Sequence, residues 1–224
     1  MEKQVYRHEL KYYLSPAGAA LVRSRLKHLM RPDPHAKGFS PYFIRSLYFD
    51  DMEYSAYRDK LSGVNERNKY RLRFYNMDPS FAVFEKKQKI QDRIRKTSVR
   101  VDWELAGRLA QGRPSGASDG LLREYDILVK TRGLRPLVLV DYDRTVFSYP
   151  IGNVRITLDE RLASCRFQGD LLKEAGRVGV IDPDEVVLEV KFDSVLPPQI
   201  RCLLEDIPKA RSAISKYCLC CSVL

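Results

Sequence analysis

Apolar and polar side chains alternate with a period of two over residues 6–14, 44–49, 69–75, 81–87, 94–101, 137–147, 154–158 and 186–192, a period that predicts about eight β-strands. A period near 3.6 takes over elsewhere. Ser15-Pro16 opens a helix with an apolar stripe at Ala19, Val22, Leu26 and Leu29, ended at Arg31-Pro32. A second helix is predicted from Asp51 as its cap to Leu61, stopped at Gly63, and others over 103–109 and 121–131, with Gly133 as stop. From Pro198 to the end the pattern is again helical, interrupted at Pro208. Residues 112–116 read as loop and 169–184 as a longer excursion; no internal repeat or low-complexity segment is present. Strands joined by hairpin-length links and single helices give an α+β chain built on an antiparallel sheet.

Side chains two apart on a strand share a face, so the polar face can be read directly. It carries Glu9 with Lys11; Lys69, Arg71 and Arg73; Glu85, Lys87 and Lys89; Tyr142 and Arg144; Arg155, Thr157 and Asp159; and Glu189 with Lys191. An antiparallel sheet with one solvated side would show the same alternation. A solvated side, however, usually mixes in more Thr, Ser and Gln, whereas here Lys and Arg recur at strand centres. If the sheet closes into a barrel of about eight strands, these side chains line a lumen wide enough for one elongated ligand. Such a lumen needs an anion to offset the repulsion among its cations. Arginine forks and lysine point charges together suit a chain of phosphates. The sparse carboxylates suit a divalent cation, Mg²⁺ or Mn²⁺, with Glu189 as first choice and Glu9 and Glu85 next; each could equally neutralise a neighbouring lysine.

Composition narrows the field. The 224 residues suffice for one large domain, and 44% hydrophobic with 30% charged residues describes a folded chain rather than a disordered or fibrous one. No apolar run approaches membrane-spanning length and the N-terminus lacks a signal-peptide core, which leads to the expectation of a cytoplasmic protein. Five cysteines, three of them crowded at Cys218, Cys220 and Cys221, form an odd set that suits reduced thiols, and the spacing of Cys and His does not suit zinc. Thirty-nine cations against twenty-nine anions, a net charge of +10, call for an anionic partner. The basic run 86–100 is a candidate nucleic-acid patch, but only Phe84 and Trp103 lie near it for stacking, so no nucleic-acid partner is expected. Gly-rich phosphate loops and kinase catalytic loops are absent from the sequence.

Eight motifs in order carry a family resemblance: Glu9-Leu10-Lys11, Ser46-Leu47-Tyr48-Phe49-Asp50, Tyr70-Arg71-Leu72-Arg73-Phe74-Tyr75, Phe84-Glu85-Lys86-Lys87, Tyr142-Asp143-Arg144-Thr145-Val146-Phe147, Arg155-Ile156-Thr157-Leu158-Asp159, Leu188-Glu189-Val190-Lys191 and Ser215-Lys216-Tyr217. In this order they resemble the VTC domain, the polyphosphate polymerase domain of the vacuolar transporter chaperone complex and its bacterial relatives, a branch of the triphosphate tunnel metalloenzymes (CYTH-like superfamily). The resemblance implies an antiparallel β-barrel tunnel and transfer of the ATP γ-phosphate to inorganic polyphosphate with Mn²⁺ or Mg²⁺. It implies that Lys11, Arg71, Arg73, Lys87, Arg144, Arg155, Lys191 and Lys216 bind triphosphate or product, that Tyr142 and Ser215 contact phosphate, that Lys96 stands near a further phosphate-binding lysine, and that Glu189 holds the metal. Ala213 stands where the eukaryotic pattern has a lysine. A stand-alone domain of this length looks bacterial, with any membrane partner a separate protein. A tripolyphosphatase or nucleoside triphosphatase on the same scaffold, and a non-catalytic sensor of polyphosphate or inositol polyphosphate, are the alternatives.

Overall fold

A computed structural model describes all residues except 1–6, 34, 35, 37, 92, 174, 175 and 209, so Tyr6 of the first predicted strand and His35 lie outside the described residues. The chain divides into two compact units, each assembled from separate stretches of sequence.

The first unit gathers residues 1–42, 142–162 and 181–215. Its strands are β1 (His8–Leu14), the two-residue β2 (Arg31–Pro32), the second half of β7 (Arg135–Tyr149), most of β8 (Val154–Arg166), β10 (Val186–Phe192) and β11 (Ala210–Arg211). β10 pairs antiparallel with β1 on one side and β8 on the other, β11 adds to β1, and β2 adds to β7. Helices α1 (Pro16–Lys27) and α5 (Pro198–Glu205) belong to this unit. Ser15 caps α1 by accepting from Gly18 N, and Pro16 costs nothing at the first turn because its amide would have no helical partner there. Ala19, Val22 and Leu26 of α1 and Ile200 and Leu204 of α5 form one core with Ile156, Leu158, Leu188 and Val190. That burial takes one face of the sheet and leaves the other to the polar residues.

The second unit gathers residues 43–141, 163–180 and 216–224. Here β3 (Tyr42–Asp50), β4 (Glu66–Tyr75), β5 (Ala82–Ile90) and β6 (Arg93–Val101) form successive antiparallel ladders, with β7 beyond β3 and the short β9 (Val178–Gly179) on β8. α3 (Trp103–Ala110) and α4 (Gly120–Arg132) cover one face, burying Leu109, Leu121 and Tyr125 against Leu47, Phe49, Leu72, Phe74 and Phe84. Gly133 ends α4 with φ +63, a conformation that favours glycine.

The eight long strands match the α+β antiparallel class expected, in the order β11-β1-β10-β8-β7-β3-β4-β5-β6. A closed barrel would join the two ends of this path. Among the described residues it stays open, because β11 has only two residues and pairs with β1, not with β6. Three elements differ from expectation. Helix α2 is Ser55–Leu61, starting four residues after Asp51, because the Asp51 carboxylate accepts from the amides of Glu53 and Ser55 in the preceding turn. The true cap is buried Asp50, which accepts from Ala56 N and Tyr57 N. The strand predicted over 154–158 continues to Arg166 past Arg161, whose φ of +52 breaks the period. The C-terminal helical stretch separates into α5, β11 and α6 (Lys216–Cys221). No helix among the described residues is long and apolar enough to cross a membrane.

Candidate phosphate-binding faces

On the uncovered face of the first unit, β1, β10 and β8 align Lys11 with Glu189 and Glu189 with Thr157, and one step along, Glu9 with Lys191 and Lys191 with Arg155. Lys191 Nζ lies 2.8 Å from Glu189 Oε1, and Lys11 Nζ 3.0 Å from Glu9 Oε1. Arg144 from β7 forks onto Asp159 at 2.6 and 2.7 Å and reaches within 3.8 Å of Glu189, while its guanidinium lies 5.1 Å from the centre of the Tyr142 ring. Burial disfavours the charged guanidinium, but Asp159, with Tyr142 and Glu189, outweighs it and raises the Arg144 pKa well above its ordinary value. Arg155 pairs with Asp33 at 2.7 Å, and Lys11 also donates to the Ile214 carbonyl at 2.9 Å. A cavity of about 550 Å³ in this unit lies on the opposite, apolar face, lined by Leu10, Tyr12, Val190 and Phe192, and takes in none of these charged groups.

The uncovered face of the second unit is built from β3 to β6. Tyr48 opposes Arg71 and Ser46 opposes Arg73; Arg71 in turn opposes Glu85. Arg71 Nε donates to Glu85 at 2.5 Å and its Nη1 to the Tyr48 hydroxyl at 3.0 Å, Arg73 Nε donates to Ser46 Oγ at 3.0 Å, and Lys96 closes on the other Glu85 oxygen. Burial would raise the Glu85 carboxyl, yet Arg71, Arg73 and Lys96 together hold it well below the usual carboxylate range. One step along, Lys69 opposes Lys87 and Lys87 opposes Lys96, a row of three ammonium groups on adjacent strands. Lys69 also lies 5.0 Å from the centre of the Tyr217 ring. Of these five cations, Arg71, Arg73 and Lys96 converge on the Glu85 carboxylate. Like charges directly opposed on a sheet are destabilising, and their row concentrates positive potential on this face.

Part of each face is closed to water. Arg73, Glu85, Arg144, Asp159 and Glu189 are each less than a tenth exposed, which a surface sheet face does not produce.

The sequence profile of the VTC domain matches residues 6–224. This chain belongs to the VTC domain family. Subunit 4 of the vacuolar transporter chaperone complex of Schizosaccharomyces pombe is 27% identical to it over 186 positions, covering 72% of this VTC domain chain and 25% of the yeast protein. The chain thus spans about a quarter of that relative's length. Among solved structures, a protein of Bacillus halodurans provisionally named an adenylate cyclase shares the fold with a TM-score of 0.52 at 17% identity, covering 83% of this chain and 80% of that one. A Pyrococcus horikoshii structure, PH1819, aligns over 98% of the chain at a TM-score of 0.49 and 12% identity.

Within the VTC domain, the structure gathers Glu9, Lys11, Tyr142, Arg144, Arg155, Glu189 and Lys191 on the first unit's face, and Arg71, Arg73, Glu85, Lys87 and Lys96 on the second's. Ser215 ends the first unit's share of the chain and Lys216 opens α6 in the second. Glu9 and Glu189, on adjacent strands, are the carboxylates of this face that could take part in holding Mg²⁺ or Mn²⁺, and each is paired with a lysine here, Glu9 with Lys11 and Glu189 with Lys191. No group of three acidic, His or Cys side chains able to hold a metal by itself occurs among the described residues. Glu85, engaged by three cations, suits a counter-ion better than a metal ligand. The period-two pattern places Lys69 on the face of Arg71 and Arg73 without giving it a ligand role, and gives Tyr48 and Ser46 none; their contacts to Arg71 and Arg73 come from the pairing of β3 with β4.

Proposed function

We propose that this chain is a metal-dependent polyphosphate polymerase that transfers the ATP γ-phosphate to a growing inorganic polyphosphate chain. The observation that carries the reading is the second unit's face, where Lys69, Lys87 and Lys96 stand in one row beside Arg71 and Arg73, and Arg71, Arg73 and Lys96 converge on the Glu85 carboxylate. Such an excess of fixed cations stabilises charge that spreads over the oxygens of a transferring phosphoryl group. Family membership and the chaperone-complex relative favour polyphosphate over other anions.

In this reading Arg71 and Arg73 hold phosphate oxygens as rigid forks, while Lys87 and Lys96, with Lys11, Arg144, Arg155, Lys191, Lys216, Tyr142 and Ser215, bind the triphosphate or the product. Glu85 keeps Arg71 and Arg73 in place between turnovers. Glu189, with Glu9, would hold Mn²⁺ or Mg²⁺, whose Lewis acidity would withdraw charge from the phosphate when bound. The acceptor oxygen is already anionic, so no side chain need remove a proton. The arrangement requires no covalent enzyme intermediate.

Incubation with ATP and Mn²⁺ tests the reading. Long-chain polyphosphate is the expected product, abolished by Arg71→Ala. Orthophosphate alone would replace the reading with a triphosphate hydrolase, and tight binding without turnover would replace it with a polyphosphate sensor.

A further inference from the structure

Thr157 is 1% exposed, and its hydroxyl has no hydrogen-bond partner. Buried hydroxyls seldom stay unpaired, because desolvating one without compensation costs free energy. The position explains where a partner would come from. Thr157 lies on β8 between Arg155 and Asp159 on the same face, and stands directly opposite Glu189. Those neighbours are turned to other groups: Asp159 is taken by both branches of the Arg144 fork, Glu189 by Lys191, and Arg155 by Asp33. The hydroxyl thus waits inside a ring of charged groups that all point past it.

We propose that Thr157 is a further substrate-binding residue, donating its hydroxyl hydrogen to a phosphate oxygen of the bound triphosphate or polyphosphate. This rests on reading the face as a polyphosphate site. The ligand class follows from the face it stands on: Arg155 shares its strand, Lys191 and Lys11 stand on the next two, Arg144 reaches Asp159 beside it, and a phosphate oxygen can accept the free hydroxyl hydrogen while satisfying those cations.

A second unpaired hydroxyl provides the control. Thr145 is likewise 1% exposed with an unpartnered Oγ1, but it alternates with Arg144 on β7 and shares the helix-covered face with Phe147. An unpaired hydroxyl that serves nothing gains from becoming a methyl, so Thr145→Val should melt at or above the wild-type temperature and bind tripolyphosphate as wild type does.

The experiment measures tripolyphosphate binding by calorimetry and unliganded melting for the wild type, Thr157→Val, Thr157→Ser and Thr145→Val. Thr157→Val is expected to melt at or above wild type yet bind about tenfold more weakly, the size of one hydrogen bond to a charged group, with Thr157→Ser restoring binding. Unchanged binding by Thr157→Val overturns the inference. A Thr157→Val protein that melts below wild type or fails to fold shows the hydroxyl to be structural and overturns it as well. A wild type that does not bind tripolyphosphate removes the polyphosphate reading itself, and this inference with it.

Discussion

Tyr48 is buried on the second unit's polar face, where Arg71 Nη1 donates to its hydroxyl at 3.0 Å and its ring stacks on Tyr217 with centroids 5.1 Å apart. Burial would raise the phenol, but Arg71, Arg73 and Lys69 outweigh it and bring its pKa down from 10.0 to about 8. A folded-state value below the ordinary one means that ionisation favours the folded chain. Its contribution is complete above pH 10 and lost as pH falls through about 8. Ultraviolet titration of the folded protein should therefore show a tyrosinate step near pH 8 that is missing in Tyr48→Phe. Saturating polyphosphate, by drawing Arg71 and Arg73 to itself, should move that step to higher pH. A titration identical in wild type and Tyr48→Phe would show that those cations do not act on this ring. The cysteines behave oppositely. Burial, with Asp141 beside it, pushes the Cys165 thiol up to about 12, and burial pushes Cys221 up to about 12 despite the lowering effect of the Tyr217 hydroxyl, so both remain protonated and unreactive at neutral pH.

At the scale of elements, strand existence was legible because each strand has one face buried by helices, and the period of two survives wherever burial is one-sided. What resisted reading were places where a side chain overrides the pattern. Asp50 ends β3, caps α2 and accepts the Tyr217 hydroxyl, and no local signal in the sequence ties residue 217 to residue 50. Arg45 is similar. It sits in an apolar run of β3, fully buried, forking onto Asp141 at 2.8 and 2.7 Å, and it donates to the carbonyls of Leu171 and Lys173, so that it pins the long excursion after β8. A charge pair closed to water is weak evidence for stability, but half of one is strongly destabilising. Arg45→Met should cost about 3–5 kcal/mol in denaturant unfolding, by leaving Asp141 uncompensated. Adding Asp141→Leu should recover much of that loss. If the double variant is as unstable as the single one, the hydrogen bonds to Leu171 and Lys173, not the ion pair, carry the effect.

For the whole molecule, the net charge of +10 and the resemblance led to the expectation of a phosphate-rich anion; neither could say that Arg73, Arg144, Asp159 and Glu189 would be buried. Burial depends on partners far apart in sequence, such as Arg144 with Asp159 and Glu189, and hydropathy along the chain does not encode them. The lysine row tests the consequence. Lys87 lies between Lys69 and Lys96, so Lys87→Ala should raise unliganded stability by a few tenths of a kcal/mol to about 1 kcal/mol as like-charge repulsion is relieved. The same change should weaken polyphosphate binding and flatten its dependence on salt. A variant that loses stability and keeps its affinity would show that the row is packing rather than a binding surface.

The interleaving of the two units also sets a timetable for synthesis. The first unit needs residues up to 215, and the second needs the helix that carries Tyr217. Strands β3 to β6 therefore leave the ribosome well before residues 216–224, which complete their unit. An anion that settled on β4 and β5 during that interval would quiet the repulsion between Lys69 and Lys87 before their unit is complete.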